Sequence, residues 1–202
     1  GDATTASTAV TNGYSSGRII KAYDSADRRY TYTYSTIDSV SRLTEVKAET
    51  RTGGTWASPT GLAEVAKVEY SYYQSGGSDL SYGEAGNLKL VKVTTPLSDS
   101  GVSSVAKRYF RYFTGTYDSG TNHGQSYLLK HVIDAEGCRR YDLDDADLFA
   151  ATDSQIKPYA RMSFEYDSSK RVSKTYGYGQ CGCGGGSTNG VSTISYDANG
   201  SY

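Results

Sequence analysis

The chain has 202 residues, enough for one large β domain or two smaller ones. Its 21 Lys+Arg and 22 Asp+Glu leave a formal net charge of −1; with no basic stripe, nucleic acid is excluded as a partner. No apolar run approaches the ~20 residues a bilayer needs, so no membrane span is predicted.

Tyrosine is the outlying residue, 20 in number beside 23 Gly, one Trp and one Met. A ring with a hydroxyl that reaches water suits thin, half-wet sheets better than a deep aliphatic core. The Ser, Thr and Gly that fill the remainder predict little helix.

In chain order, residues 1–16 are small and nearly uncharged, and Thr4, Ala6, Thr8 and Val10 alternate loosely. They read as an N-terminal arm, either disordered or extended and pairing with another chain. The absence of an initial Met and of a basic-then-apolar leader predicts a processed product or an excised region. A β domain then spans 17–202, opening on the bend and short strand Gly17 to Ala22 with no aromatic strand ahead of it.

Rings at every second position follow, at Tyr30-Tyr32-Tyr34, Tyr70-Tyr72, Phe110-Tyr112 and Phe164-Tyr166. Residues two apart on a strand share a face, so each stretch predicts a strand with rings on one side and polar residues on the other. Each is followed by a polar bend and an aliphatic strand: Leu43 to Val46, Leu88 to Val93, Leu128 to Ile133 and Val172 to Tyr176. We call the ring-bearing strand of each hairpin leading and the aliphatic one trailing.

A loop is predicted at 52–61, with its lone Trp56 either folded back on the sheet or exposed as an anchor. Between the third and fourth units Asp142 to Ala151 has apolar residues at helical spacing behind an acidic start, which predicts one short helix near 143–151. The chain closes with a Gly/Cys-rich loop at 177–190 and an aromatic strand through Ile194 and Tyr196 that lacks a return strand. The predicted fold is all-β: repeated antiparallel β-hairpins forming a long twisted sheet or β-strip.

Candidate chemistry is sparse. Cys138, Cys181 and Cys183 are an odd set of thiols; a disulfide, within the chain or between copies, is preferred over zinc with His123 or His131, which show no recognised ligand spacing. Asp142, Asp144, Asp145 and Asp147 offer hard oxygens to calcium but lack the glycine and distal glutamate of an EF-hand loop, and a solvated helix start is the plainer reading. No cofactor is expected otherwise. No Gly-x-Ser-x-Gly elbow or evident Ser/His/Asp set is present, so an enzyme is not predicted. Trp56 is the candidate contact for a surface glycan.

Phe164-Glu165-Tyr166-Asp167-Ser168-Ser169-Lys170-Arg171-Val172 resembles the YD repeat, also called the RHS repeat, of bacterial β-strip proteins. Tyr196-Asp197-Ala198-Asn199-Gly200 is similar to its first half, Gly86 to Pro96 to its second, and Leu129 to Gly137 to its linking phrase, with Ala135 where Pro is usual. The resemblance covers most of 17–200. It implies a bacterial, extracellular or cell-surface β-strip, either a large surface protein or the shell of a toxin complex; the Asp-Pro-x-Gly-Leu phrase of a self-cleaving shell core does not occur in this sequence.

The expectation drawn from the two incomplete ends is a structural subunit of an extracellular filament or surface fibre. Copies would join head to tail by strand addition, Ile194 and Tyr196 of one meeting Ile19 and Ile20 of the next, with the Thr4 to Val10 arm as an added strand. The alternatives are a piece of a toxin-encapsulating shell and a glycan-binding surface module.

Overall fold

The computed structural model describes residues 13–96, 103–141, 145–177 and 190–196. It is an antiparallel β protein with eleven strands: β1 (Gly13–Ser15), β2 (Arg18–Tyr23), β3 (Arg28–Ile37), β4 (Val40–Gly54), β5 (Pro59–Tyr72), β6 (Leu88–Pro96), β7 (Ser103–Tyr112), β8 (Leu129–Ile133), β9 (Met162–Tyr166), β10 (Val172–Gly177) and β11 (Gly190–Thr193). The predicted aromatic stretches fall in β3, β5, β7 and β9, and the aliphatic ones in β4, β6, β8 and β10.

The chain forms two compact units, Gly1–Ser71 with Val91–Ala106, and Tyr72–Leu90 with Lys107–Tyr202. The divisions fall inside β5, β6 and β7 by sequence, where no linker composition marks them.

In the first unit β1 to β5 pair each with the next, all antiparallel. Two-residue turns join β1 to β2 and β3 to β4, with positive φ at Ser16 and Gly17 (50° and 75°) and at Asp38 and Ser39 (49° and 63°). Such turns match the right-handed twist of paired strands. β1 corrects the N-terminal boundary: residues 13–15 belong to the sheet, and β2 does have a strand ahead of it.

The loop expected at 52–61 is also a strand pair. β4 and β5 run on to Gly54 opposite Pro59, closed by Thr55–Ser58. Cross-strand pairing of Thr and Gly backbone overrode the loop-like composition. Side chains in this unit are mostly half-exposed, with Ala48 and Glu49 buried.

In the second unit β7 to β11 likewise pair in succession. Its core gathers Tyr73, Leu90, Tyr109, Ile133, Cys138, Leu148, Ala151, Ile156 and Ala160. Much of that core comes from the segment between β8 and β9, which folds as α1 (Ala135–Tyr141), α2 (Asp145–Ala150), α3 (Asp153–Ile156) and a 3-10 turn at Lys157–Tyr159, with another such turn at Leu80–Tyr82.

At most one short helix was expected, and three are present among the described residues. The extra turns are fixed by capping: Asp134 accepts from the Gly137 amide at the start of α1, and Thr152 and Gln155 form a reciprocal capping box on α3. The insertion also reverses the expected face of β7. Tyr109 and Arg111 are fully buried, while Phe110 and Tyr112 are half-exposed, because the helical segment packs on the side that alternation marks as polar.

Candidate functional site: a bulged tyrosine row and the sheet edges

Four hairpins share one local geometry. Tyr14 stands opposite Ile19, Tyr34 opposite Leu43, Tyr112 opposite Leu129 and Tyr166 opposite Val172. In three of the four the ring-bearing residue stands at or next to the end of its leading strand and the aliphatic residue at or next to the start of the trailing one, whereas Tyr34 and Leu43 stand inside β3 and β4, which run on to the Ile37–Val40 pair.

Beside every such pair the register slips by one, leaving Ile20, Thr44, Lys130 and Ser173 as the extra residue on the trailing strand. A bulge at a fixed place bends the strand and sharpens its twist in the same way each time. The repeat is therefore clearer in backbone geometry than in residue identity.

In the second unit the row is stitched by tyrosine hydroxyls. Tyr112 donates to the Leu88 carbonyl, Tyr166 to Leu129 and Tyr196 to Val172, each at 2.9 Å. Every acceptor heads the trailing strand just before the donor's own leading strand. Each bond satisfies a carbonyl where two strands part at the turn, and ties one hairpin to its predecessor.

Basic side chains cover rings in the same row. Arg171 lies 4.2 Å from the Tyr196 ring centre and, in the first unit, Arg18 lies 5.6 Å from that of Tyr34. In both cases the arginine immediately precedes the aliphatic head of the trailing strand, so its cation meets the ring of the neighbouring leading strand.

Asp167 fixes the turn that follows Tyr166. Its Oδ1 accepts the amides of Ser169 and Arg171, each at 2.9 Å, and its Oδ2 the Arg171 guanidinium at 2.8 Å. The backbone donor of Arg171 foremost, with its guanidinium and the Ser169 amide, holds this carboxyl below its usual range. Asp24 builds the same loop between β2 and β3, accepting from Ala26 and Arg28. Tyr23-Asp24-Ser25-Ala26-Asp27-Arg28 thus matches Tyr166 to Arg171 in both sequence and turn, a signal the sequence carries in full beyond the repeat segments named from it.

Trp56 folds back. Its indole N–H donates to Asp27 at 2.7 Å, and its ring lies 5.2 Å from the Arg29 guanidinium, 5.4 Å from that of Arg51 and 5.6 Å from the Tyr23 ring. The residue proposed to meet a glycan is engaged in bracing the Asp24 turn. Next to it, Glu49 is buried and takes Arg29 at 2.8 Å and Lys47 at 3.1 Å. Burial works to raise its pKa, and these two cations outweigh that and lower it.

The second unit holds a buried polar cluster. Arg111, fully buried, reaches Tyr109 Oη at 3.2 Å, Asp153 at 2.9 Å and the Leu148 carbonyl at 3.3 Å, and also donates to the Ala151 carbonyl. Its guanidinium stacks 3.7 Å from the Tyr82 ring centre. Tyr73 donates to the Phe110 carbonyl at 2.9 Å and lies 3.2 Å from the Tyr109 hydroxyl; burial raises both phenol pKa values. Arg111 gathers the carbonyls at the end of α2 and the carboxylate at the start of α3, pinning the insertion to β7.

His131 on β8 faces Ser163 on β9, Nδ1 to Oγ 2.7 Å, beside a cavity of about 190 Å³ lined also by His123, Asp153 and Lys157. Burial lowers the imidazole pKa; Asp153 opposes this, while Lys130, Arg111 and Lys157 reinforce it. Asp153 is itself held below its usual range: burial raises its pKa, but Lys130 at 2.6 Å and Arg111 prevail. This Ser–His contact was not legible in the sequence. The Asp153 carboxylate is committed to Lys130 and Arg111, so the trio has no base-orienting carboxylate of the triad kind.

Ile19 and Ile20 lie on β2, whose two edges are taken by β1 and β3, so β2 is not an open edge; this corrects the expected joint. Ile194 donates its amide to Ser173 and Tyr196 its hydroxyl to Val172, so both run alongside β10. Among the described residues the outer edges of β1 and β11 pair with no strand.

Cys138 is buried, its Sγ 4.0 Å from the Ile133 carbonyl. Cys181, Cys183, Asp142, Asp144, Thr4, Ala6, Thr8 and Val10 lie outside the described residues, and Asp145 and Asp147 fall on α2. Among the described residues no cluster of three or more His, Cys, Asp or Glu is placed to hold a metal, and no helix is long and apolar enough to cross a membrane. Comparison of the chain with protein-family models, with curated proteins and with solved structures returned no match.

Proposed function

We propose that the chain is a structural, non-catalytic segment of an extracellular bacterial fibre or surface strip, built from YD-repeat-like hairpins and extended by strand addition. The observation that carries this reading is the fourfold recurrence of a tyrosine opposite an aliphatic residue beside the same bulge. A lattice unit repeated along a chain spreads strength over many modest contacts, about 0.2–1 kcal/mol per cross-strand pair, and leaves free backbone donors and acceptors at its edges.

With both edges of β2 occupied, the edges left open among the described residues are those of β1 and β11. Sedimentation velocity across a concentration series, with electron microscopy of the same samples, tests the reading. Elongated species that grow with concentration are expected. A single monomeric boundary at every concentration would overturn it.

A further inference from the structure

The leading strands of the second unit show what normally lies against their outer edge. Tyr112, Tyr166 and Tyr196 each reach the carbonyl of the aliphatic residue that heads the preceding trailing strand. For Tyr196 that residue follows Arg171, which covers the ring; Arg18 covers Tyr34 in the same relation.

Tyr14 occupies the equivalent place in β1. It faces Ile19 across its own hairpin and has the same bulge beside it. Yet it is 65 % exposed, and among the described residues neither carbonyl nor cation meets it. Its local geometry matches theirs, and among the described residues no strand lies beyond it.

We propose that the outer edge of β1 is a docking site for a strand from another chain, of trailing type: an extended segment in which Arg or Lys is followed by an aliphatic residue. The incoming backbone pairs with β1, its aliphatic carbonyl accepts the Tyr14 hydroxyl, and its cation lies over the Tyr14 ring. This deepens the strand-addition reading and rests on it, and it specifies which chemistry the edge accepts.

A labelled synthetic peptide of residues 170–177, Lys-Arg-Val-Ser-Lys-Thr-Tyr-Gly, titrated with the full chain and followed by fluorescence anisotropy, tests the proposal. Saturable binding is expected. Tyr14→Phe should weaken it about fivefold, the loss of one hydrogen bond of ~1 kcal/mol, and Tyr14→Ala should weaken it further. Changing Arg171 of the peptide to Ala should weaken it as well, while Tyr196→Phe in the protein should leave it unchanged.

The exposure of Tyr14 lets these variants fold, which their circular dichroism verifies. Absence of binding, or binding indifferent to both Tyr14 variants, would overturn the proposal. Filaments formed without peptide binding would reject this site and keep the strand-addition reading; peptide binding by a chain that never polymerises would do the reverse.

Discussion

Single side chains in this protein act mostly by closing backbone groups that the sheet leaves open. Tyr166→Phe removes one donor from the Leu129 carbonyl and nothing else of size, so a loss of about 1 kcal/mol is expected in urea unfolding, with the spectrum of the folded state unchanged. Arg111 carries far more. Replacement by Met leaves Asp153 and two helix-end carbonyls without their common donor inside the core, and a loss of about 3–5 kcal/mol is expected from the same measurement.

His131 gives the molecule a pH dependence with a definite sign. Its folded pKa lies below its unfolded one because burial disfavours the imidazolium. Above pH ~6.5 the ring is neutral in both states. As pH falls below that, the unfolded chain takes up a proton that the folded chain refuses, so stability declines until the folded pKa is passed. A His131→Gln variant should flatten stability against pH in that window, leaving the steeper loss in the carboxylate range, where Asp153 is protonated, in place.

At the scale of elements, alternation and ring spacing were enough to find the strand pairs centred on Tyr30 to Val46, Phe110 to Ile133 and Phe164 to Tyr176, because two-residue periodicity is written directly in side-chain polarity. The bulges were not legible. They are defined by which residue faces which, and the extra positions, Ile20, Thr44, Lys130 and Ser173, share no chemistry. Arg111 was unreadable for another reason. Its burial depends on a helical segment more than twenty residues downstream, and nothing between Tyr109 and Phe113 announces that cover. The His131 to Ser163 contact spans the same insertion.

Glycine placement adds a device that composition could only count. A Cβ on Gly124 would come within 2.3 Å of the Phe113 ring, and one on Gly83 within 2.5 Å of the Tyr73 ring. In both cases a loop backbone lies flat on the ring that follows a leading strand. Gly124→Ala should cost about 1–3 kcal/mol by overpacking. Gly17→Ala, where the space is open and only a φ of 75° resists, should cost less. Thermal unfolding of the two variants side by side compares them.

At the scale of the whole molecule, the two compact units differ in how they are held. The first relies on ladders, ion pairs such as Arg29 with Glu49, and rings half open to water; the second has a closed core of Tyr73, Tyr109, Ile133 and Ile156. Hydrogen exchange should follow that difference, with amides of β8 and β9 protected longest and those of β1 and β2 exchanging early, because local opening tracks the apolar contacts that must be broken.

The single indole sits against the Asp24 turn with a cation to either side. Emission excited selectively in Trp56 is consequently an optical channel seated in the first unit, whereas Tyr73 and Tyr109 lie in the closed core of the second. Recorded together during one denaturant ramp, indole emission and tyrosine ellipticity convert the molecule's native chromophores into separate clocks for its halves, without any introduced dye.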